Sequence, residues 1–169
     1  VPDEEVISLL AEVGFKSITL PFESANPRII KKWCSNKLAL DRFNPVDLIK
    51  SLKKYDMHIA TNYMLGFPDE TREEIENTIK FAKQMYHHGL DASNFSIVMP
   101  VPGTPIFDHC IKEGQLPADY NPDKFQWTKA NLKNLVVPPD ELEAIRKKAW
   151  NECNSEAHKK SRLQWSVPN

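Results

Sequence analysis

Residues 58–74 read His-Ile-Ala-Thr-Asn-Tyr-Met-Leu-Gly-Phe-Pro-Asp-Glu-Thr-Arg-Glu-Glu, and this stretch decides the fold. Its first eight residues are mostly apolar but too few for a helix, a glycine and a proline then interrupt the run, and Thr71 with Glu74 has the spacing of a capping box. The pattern predicts a strand, a tight turn and a helix. Because ligands bind at the carboxyl ends of parallel strands, the turn at Gly66 is a candidate binding loop. An ordinary connection between a strand and a helix is the alternative.

Two further strand patterns stand on either side of this stretch, over residues 15–22 and 92–99. Three strands that alternate with helices predict a parallel sheet with right-handed crossovers, in the order α-β-α-α-β-α-β-α-α. Parallel sheets need cover on both faces, so the chain is expected to be half of a larger fold. The helical patterns cover residues 2–13, 27–33, 45–55, 72–88, 105–112 and 139–162.

The segment between residues 114 and 137 has no clear periodicity. It is rich in Pro, Asn and Asp and contains Tyr120, Phe125 and Trp127. Aromatic side chains in such a segment either line a substrate pocket or pack the loop onto the core.

Composition excludes several classes of function. The 169 residues carry 22 basic and 23 acidic side chains, and they show neither a run of like charge nor a basic stripe with interleaved aromatics, so a nucleic-acid or anionic-membrane partner is not indicated. There is no apolar run of membrane-spanning length and no signal-peptide pattern, which predicts a soluble cytoplasmic protein. The spacing of Cys34, Cys110 and Cys153 predicts reduced structural thiols, and His87 with His88 suits the end of a helix better than a metal site.

Polar residues near the ends of the predicted strands are candidate ligand contacts. Glu23 ends the first strand, where a carboxylate is either solvated or held by a ligand or cation. Asn62 shares a face of the central strand with Met64, and a polar side chain inside a sheet favours a liganded lumen over a packed face. No catalytic triad, carboxylate pair or phosphate loop accompanies them.

These residues lie in three motifs that together resemble the radical S-adenosylmethionine (radical SAM) superfamily. The resemblance is to the branch that holds cobalamin-dependent radical enzymes, methylthiotransferases and oxygen-independent coproporphyrinogen oxidase. It covers residues 1–115 and implies strands four to six of a partial (β/α)6 barrel, with residues 116–169 as a loop-rich extension and terminal helix. The motifs are Phe22-Glu23-Ser24-Ala25-Asn26-Pro27-Arg28-Ile29-Ile30-Lys31, Asn62-Tyr63-Met64-Leu65-Gly66-Phe67-Pro68-Asp69-Glu70-Thr71 and Met99-Pro100-Val101-Pro102-Gly103-Thr104-Pro105.

The first motif implies contacts to the methionine end of the cofactor. Glu23, with Ser24 beside it, resembles the acidic or amide position that contacts the methionine portion or the ribose. Lys37 resembles the basic residue that pairs with the methionine carboxylate, although it lies about two residues farther along than in the family. Ala25 stands where the family usually has glycine.

The other two motifs imply contacts to the nucleoside end. Asn62 resembles the polar residue that holds the ribose hydroxyls. The main chain near Gly66 and at Val98 and Met99 resembles the edges that border the adenine, where an open turn exposes N–H and C=O groups.

The resemblance also implies an iron–sulfur cluster whose full set of ligands this chain does not contain. The Cys-x3-Cys-x2-Cys motif for a [4Fe–4S] cluster is absent, and three cysteines so far apart in sequence do not replace it. We therefore expect the carboxyl-terminal half of a longer enzyme that cleaves S-adenosylmethionine reductively to start radical chemistry. This half is expected to be inactive alone; the substrate stays open, and cobalamin is a further candidate cofactor.

Two other classes of function remain. One is a non-catalytic binding or scaffold domain derived from such a barrel. The other is an aldolase-like lyase, although no lysine falls within the three strands to form a Schiff base. The exposed edges of a half-barrel would also favour self-association of the isolated chain.

Overall fold

The computed structural model describes residues 2–36 and 40–154. The order of its elements confirms the predicted alternation. The strands are β1 (Ser17–Glu23), β2 (His58–Leu65) and β3 (Ala92–Ile97), and the helices are α1 (Glu4–Glu12), α2 (Pro27–Trp33), α3 (Pro45–Lys53), α4 (Arg72–Tyr86), α5 (Pro105–Lys112) and α6 (Pro139–Cys153), with a short 3-10 turn at Pro122–Lys124.

The three strands form one parallel sheet in the order β1-β2-β3, as predicted for an α/β half-barrel. Asn62 at the middle of β2 lies opposite Pro21 on one side and Asn94 on the other. The register slips between Pro21 and Glu23, so the end of β1 bulges away from a regular ladder. The bulge pairs Glu23 with Tyr63, where a regular ladder would pair it with Met64.

The two faces of the sheet differ in burial. Along β2 the side chains of Ile59, Thr61, Tyr63 and Leu65 are fully buried on the face that the helices cover, where the Tyr63 ring stacks on Phe95. On the opposite face of β2, His58 and Asn62 are exposed and Ala60 is half-buried, whereas Met64 at the carboxyl end packs against an apolar cluster that includes Ile29 and Ile30 of α2. This face is therefore open around Asn62. This open face fits the expectation that the chain is half of a larger fold.

Local signals explain why the helices begin where they do. Thr71 accepts from the Glu74 N–H while the Glu74 carboxylate accepts from the Thr71 N–H, so the predicted capping box is formed. The side chains of Asn44 and Thr104 cap α3 and α5 by accepting from the Val46 and Phe107 N–H groups. Each is followed by a proline, which suits the first helical position.

Several element ends differ from the predictions, by one or two residues in α1, α3 and α4. The first strand begins at Ser17 because the chain is still closing α1 at Phe15, whose N–H donates to the Leu10 carbonyl. The third strand ends at Ile97 rather than at residue 99, ahead of the proline-rich loop. The last helix is described to Cys153; the rest of its predicted length lies outside the described residues.

The segment from residue 114 to 137, which the structure describes in full, forms no strand. The Tyr120 hydroxyl donates to the Pro100 carbonyl at 2.8 Å, and its ring contacts Phe107 and Phe125. Two of the three aromatic residues therefore fix the loop, whereas Trp127 is 66% exposed. None of the described helices has the length and apolarity to cross a membrane.

The outer edge of β3 is closed by groups from the chain that follows it. The Asn154 amide accepts from the Ser93 N–H and donates to the Ser93 carbonyl, at 3.1 and 2.7 Å. Arg146 donates to the Phe95 carbonyl at 2.7 Å, and the Trp127 carbonyl accepts from the Ile97 N–H at 2.8 Å. No hydrogen bond within the described chain reaches the outer edge of β1 between residues 17 and 21.

Candidate functional site

Two asparagines form the centre of the open face. Asn62 on β2 and Asn94 on β3 are opposite each other in register, both are exposed, and the Asn94 Nδ2 donates to the Asn62 Oδ1 at 3.1 Å. Each amide carries one acceptor oxygen and one NH2 group. Whichever way the two amides are turned, their mutual bond leaves one NH2 group and one carbonyl oxygen without a partner in the described chain.

The strand residues around this amide pair are small and mostly uncharged. By alternation along the described strands, the ionisable residues of this face are His58 at the amino end and, after the bulge of β1, Glu23 at the carboxyl end. The others are Ser17, Thr19, Pro21, Ala60, Met64, Ala92 and Ser96. The face therefore offers hydrogen bonds without a fixed cation from the strands. Such a surface suits a polar group of low charge, such as a sugar or an amide.

Glu23 lies at the carboxyl end of this face in an unusual backbone conformation. Its φ is +61°, in the left-handed region that non-glycine residues seldom adopt, and its side chain is half-buried. Strained residues of this kind persist only where the surrounding structure holds them, and they are frequent at ligand sites. The position predicted for the cofactor is thus the one residue of β1 with a strained backbone.

Ser24, predicted as a further cofactor contact, has its hydroxyl elsewhere. The residue is fully buried, its Oγ is 3.1 Å from the Thr78 hydroxyl, and it accepts from both the backbone and side-chain nitrogens of Asn26. In this arrangement the Ser24 hydroxyl anchors the loop after β1 and is not presented to the open face.

Thr78 is the centre of that anchor, and sequence reasoning missed it. Its hydroxyl accepts from the Ala25 N–H and from the Asn26 amide, each at 3.1 Å, and lies at the same distance from the Glu74 carbonyl. Thr78 stands on the buried side of α4. A hydroxyl on the apolar side of an amphipathic helix is the signal that could have found it, because a buried polar group needs partners.

A charged cluster joins α2 to the turn before α4. The Arg28 guanidinium donates to both carboxylate oxygens of Glu74, at 2.7 and 2.6 Å, and to Asp69 at 2.5 Å. Although partial burial opposes the shift, hydrogen bonds from Lys32, Trp33 and Arg28 lower the pKa of Asp69 to about 2. The two loops that carry Glu23 and Gly66 are therefore fixed to each other.

The turn at Gly66 is shaped by its own glutamate. Gly66 has a φ of +80°, and the Glu70 Oε2 accepts from the Gly66 N–H at 2.7 Å and from the Phe67 N–H at 3.2 Å. Glu70 is 2% exposed, and burial raises its pKa to about 8. The main-chain N–H predicted to border adenine at Gly66 is thus already bonded to Glu70.

Val98 and Met99, the other predicted adenine contacts, both have backbone groups that are bonded within the chain. The Val98 N–H donates to the Leu65 carbonyl at 3.0 Å, and the Val98 side chain is buried. Met99 is half-buried, and its carbonyl accepts from the Val101 N–H. Lys37, predicted to pair with the methionine carboxylate, lies outside the described residues.

The described residues do not offer a cluster site. Cys34, Cys110 and Cys153 are buried thiols, as the sequence predicts, and Cys34 and Cys153 lie in different apolar clusters. No three His, Cys, Asp or Glu side chains in residues 2–36 and 40–154 converge to hold a metal ion. Ligands for an iron–sulfur cluster would have to come from elsewhere, whereas the polar donors and acceptors of the open face fit a sugar or an amino-acid group.

Comparison with known proteins gives one matching family. A family model described as the radical SAM superfamily matches residues 1–82. A curated relative, an uncharacterized methyltransferase from Pyrococcus horikoshii, is 35% identical over 114 residues, which cover 68% of this chain and 24% of the relative.

Two more distant relatives carry more specific names. The cytidylyl-2-hydroxyethylphosphonate methyltransferase of Streptomyces wedmorensis is 28% identical, over 66% of this chain and 21% of the relative. The tRNA-2-methylthio-N(6)-dimethylallyladenosine synthase of Ehrlichia canis is 33% identical, over 52% of this chain and 19% of the relative. The matched part of the chain thus spans about a quarter or less of each relative's length.

Proposed function

Since the chain belongs to the radical SAM superfamily, we propose that it forms the carboxyl-terminal half of a barrel in an enzyme that cleaves S-adenosylmethionine reductively. The superfamily uses S-adenosylmethionine and a [4Fe–4S] cluster, whose ligands would lie outside this chain. When bound, the cluster supplies the electron for the cleavage. The names of the relatives support methyl or methylthio transfer as the reaction class and leave cobalamin as a further candidate cofactor.

The observation that carries this proposal is the open polar face of the sheet. The Asn62–Asn94 amide pair lies at the centre of this face, and Glu23, whose backbone is strained, lies at its carboxyl end. Polar groups in this arrangement suit a ligand more than a packed interior. A sugar has neighbouring hydroxyls that both donate and accept. The unpartnered NH2 group and carbonyl oxygen of the Asn62–Asn94 pair can therefore bond two such hydroxyls together.

The remaining site residues would position the cofactor rather than react with it. Glu23 would accept from a hydroxyl or an ammonium at the carboxyl end of β1, held there by the loop that Thr78 anchors. The charged cluster around Arg28 would keep this loop at a fixed distance from the Gly66 turn. Holding both loops keeps the bound group oriented and limits the access of water.

The proposal is tested by the affinity of the cluster-loaded protein that contains this chain for S-adenosylmethionine. We expect Asn62→Ala to weaken binding about tenfold, because the loss of one hydrogen bond of about 1.4 kcal/mol changes a binding constant by that factor. Asn77→Ala is the matched control, since Asn77 is exposed on α4 away from the open face. An Asn62→Ala variant that binds as the control does would contradict the assignment of this face.

A non-catalytic binding domain derived from the barrel is the second candidate. It is favoured by the N–H groups of Gly66, Phe67 and Val98, which already have protein partners and so are not offered to an adenine. Such a domain would bind a small polar group at the open face, and it would release no 5′-deoxyadenosine from S-adenosylmethionine under reducing conditions.

A further inference from the structure

Glu70 is a buried carboxyl group that the proposed reaction does not use. Its Oε2 is bonded to the N–H groups of Gly66 and Phe67, whereas its Oε1 has no partner among the described residues. An isolated oxygen of this kind is costly to bury, by about 1–3 kcal/mol when it stays unbonded. The group therefore calls for a hydrogen-bond donor.

Gln115 has the same problem at the same turn. Its Nε2 donates to the Pro68 carbonyl at 3.0 Å, and its Oε1 has no partner in the described chain. The amide cannot be turned over, because its oxygen would then face the Pro68 carbonyl oxygen. The residue is also held by its backbone, which bonds to Cys110 on one side and Lys133 on the other, at 2.8 Å each.

Glu70 and Gln115 thus both bond to the turn of residues 66–70. Each leaves one buried acceptor oxygen without a hydrogen-bond donor among the described residues. A single hydrogen on Glu70 would convert one acceptor into a donor and so correct both deficits. Arg28, the cation of α2 that Glu70 senses, is occupied by Asp69 and Glu74.

The electrostatic surroundings favour the neutral form. Burial is the largest effect on the Glu70 pKa and raises it, and the negative Glu74 at the start of α4 raises it further. The bonds from Gly66 and Phe67 and the charge of Arg28 act in the opposite direction but are smaller. Gln115, which binds the Pro68 carbonyl of the same turn from the segment after α5, is uncharged.

We propose that Glu70 is a neutral carboxylic acid in the folded protein and that its acid hydrogen, on Oε1, is shared with the amide oxygen of Gln115. Glu70 is then a positioning residue: Oε2 fixes the N–H groups of the Gly66 turn, and Oε1 ties that turn to the segment after α5. The protonation state follows from the fold alone. The further step, that loss of the Glu70 proton would loosen a turn that binds the cofactor, rests on the proposed function.

The sign of the pH dependence follows from the shift. The folded-state pKa is about 8, above the ordinary value of 4.5, so the folded protein holds a proton that the unfolded chain releases over this range. The contribution of Glu70 to stability is complete below about pH 4.5 and falls as the pH rises towards 8. One proton gives at most a tenfold change in the folding constant per pH unit.

Infrared difference spectroscopy tests the proposal on the cluster-loaded protein, between about pH 6 and about pH 9.5. We expect a carboxylic-acid carbonyl band at the lower pH that disappears at the higher one and is absent from Glu70→Gln. Glu73→Gln, the same change at an exposed residue in the first turn of α4, should keep the band. A wild-type spectrum without a band that Glu70→Gln removes would overturn the proposal.

A second variant tests the partner. Gln115→Leu removes the acceptor of the acid hydrogen, so the carbonyl band should move to higher frequency; an unmoved band would overturn the sharing with Gln115. Thermal unfolding covers the case in which Glu70→Gln is poorly folded, since an amide that mimics the neutral acid should unfold no earlier than wild type near pH 9. S-adenosylmethionine binding is measured on the same samples. If only the proposed function is wrong, this binding is absent while the carboxylic-acid band of Glu70 is still present.

Discussion

Gly66 is the residue at which backbone conformation and packing both exclude a side chain. Its φ is +80°, and a Cβ built there would lie 2.4 Å from the Leu142 Cδ2. Leu142 is fully buried on α6, so the last helix packs directly against the turn before α4. The candidate binding loop is therefore positioned in part by a residue 76 positions later in the chain.

Gly66→Ala separates these two effects when it is compared with Gly103→Ala. Gly103 has nearly the same φ, +83°, but no atom lies within 4 Å of its added Cβ. We expect Gly103→Ala to cost about 1 kcal/mol of unfolding free energy from backbone strain alone, and Gly66→Ala to cost about 1–3 kcal/mol more from the overlap. Denaturant unfolding measures both, and equal losses would contradict the packing of Leu142 against the turn.

Single residues also show where sequence reasoning reaches its limit. Gly66 and Asn62 could be predicted because a glycine after a strand and an asparagine inside one are local signals. Asn94 carries the same signal on β3, and aligning the two strands would have found it. The bond that ties Gln115 to the Gly66 turn could not be predicted, because its partner, the Pro68 carbonyl, lies 47 positions away.

At the scale of elements, the two outer edges of the sheet differ in whether their backbone groups are hydrogen-bonded by the rest of the chain. The outer edge of β3 is bonded to side chains of α6 and to the preceding loop, whereas that of β1 has no such cover in the described chain between residues 17 and 21. A covered edge cannot accept another strand. The sheet can therefore be extended only beyond β1.

Asn154→Ala tests the closure of the β3 edge. The substitution removes both bonds to Ser93, so we expect a loss of about 1–3 kcal/mol of unfolding free energy and more self-association through the exposed edge. Asn151→Ala on the exposed side of the same helix is the control and should change neither. Thermal unfolding and light scattering measure the two effects, and a variant that matches the control in both would show that Asn154 does not close the edge.

The elements themselves were predictable, and their contacts were not. Period, caps and prolines predicted all three strands and six helices, because these signals act within a few residues. The anchor between Ser24 and Thr78 spans 54 positions, and the bond between Ser93 and Asn154 spans 61. Such pairs depend on the packing of the whole sheet, which local patterns do not encode.

At the scale of the whole molecule, the open face, the extendable β1 edge and the family match agree with one another. Each suits a chain that completes a barrel together with further strands that pair beyond β1. The open face would then line the interior of that barrel, with the Asn62–Asn94 pair at its centre. The missing cluster ligands would belong to the part that supplies those strands.

The central claim is that this face belongs to a site that cleaves S-adenosylmethionine. The most direct measurement is the formation of 5′-deoxyadenosine by the protein that contains this chain, loaded with iron and sulfide, reduced and supplied with S-adenosylmethionine. We predict that 5′-deoxyadenosine forms, and that it forms only when the cluster and the reductant are both present. A cluster-loaded, reduced protein that binds S-adenosylmethionine and yet releases no 5′-deoxyadenosine would contradict the account.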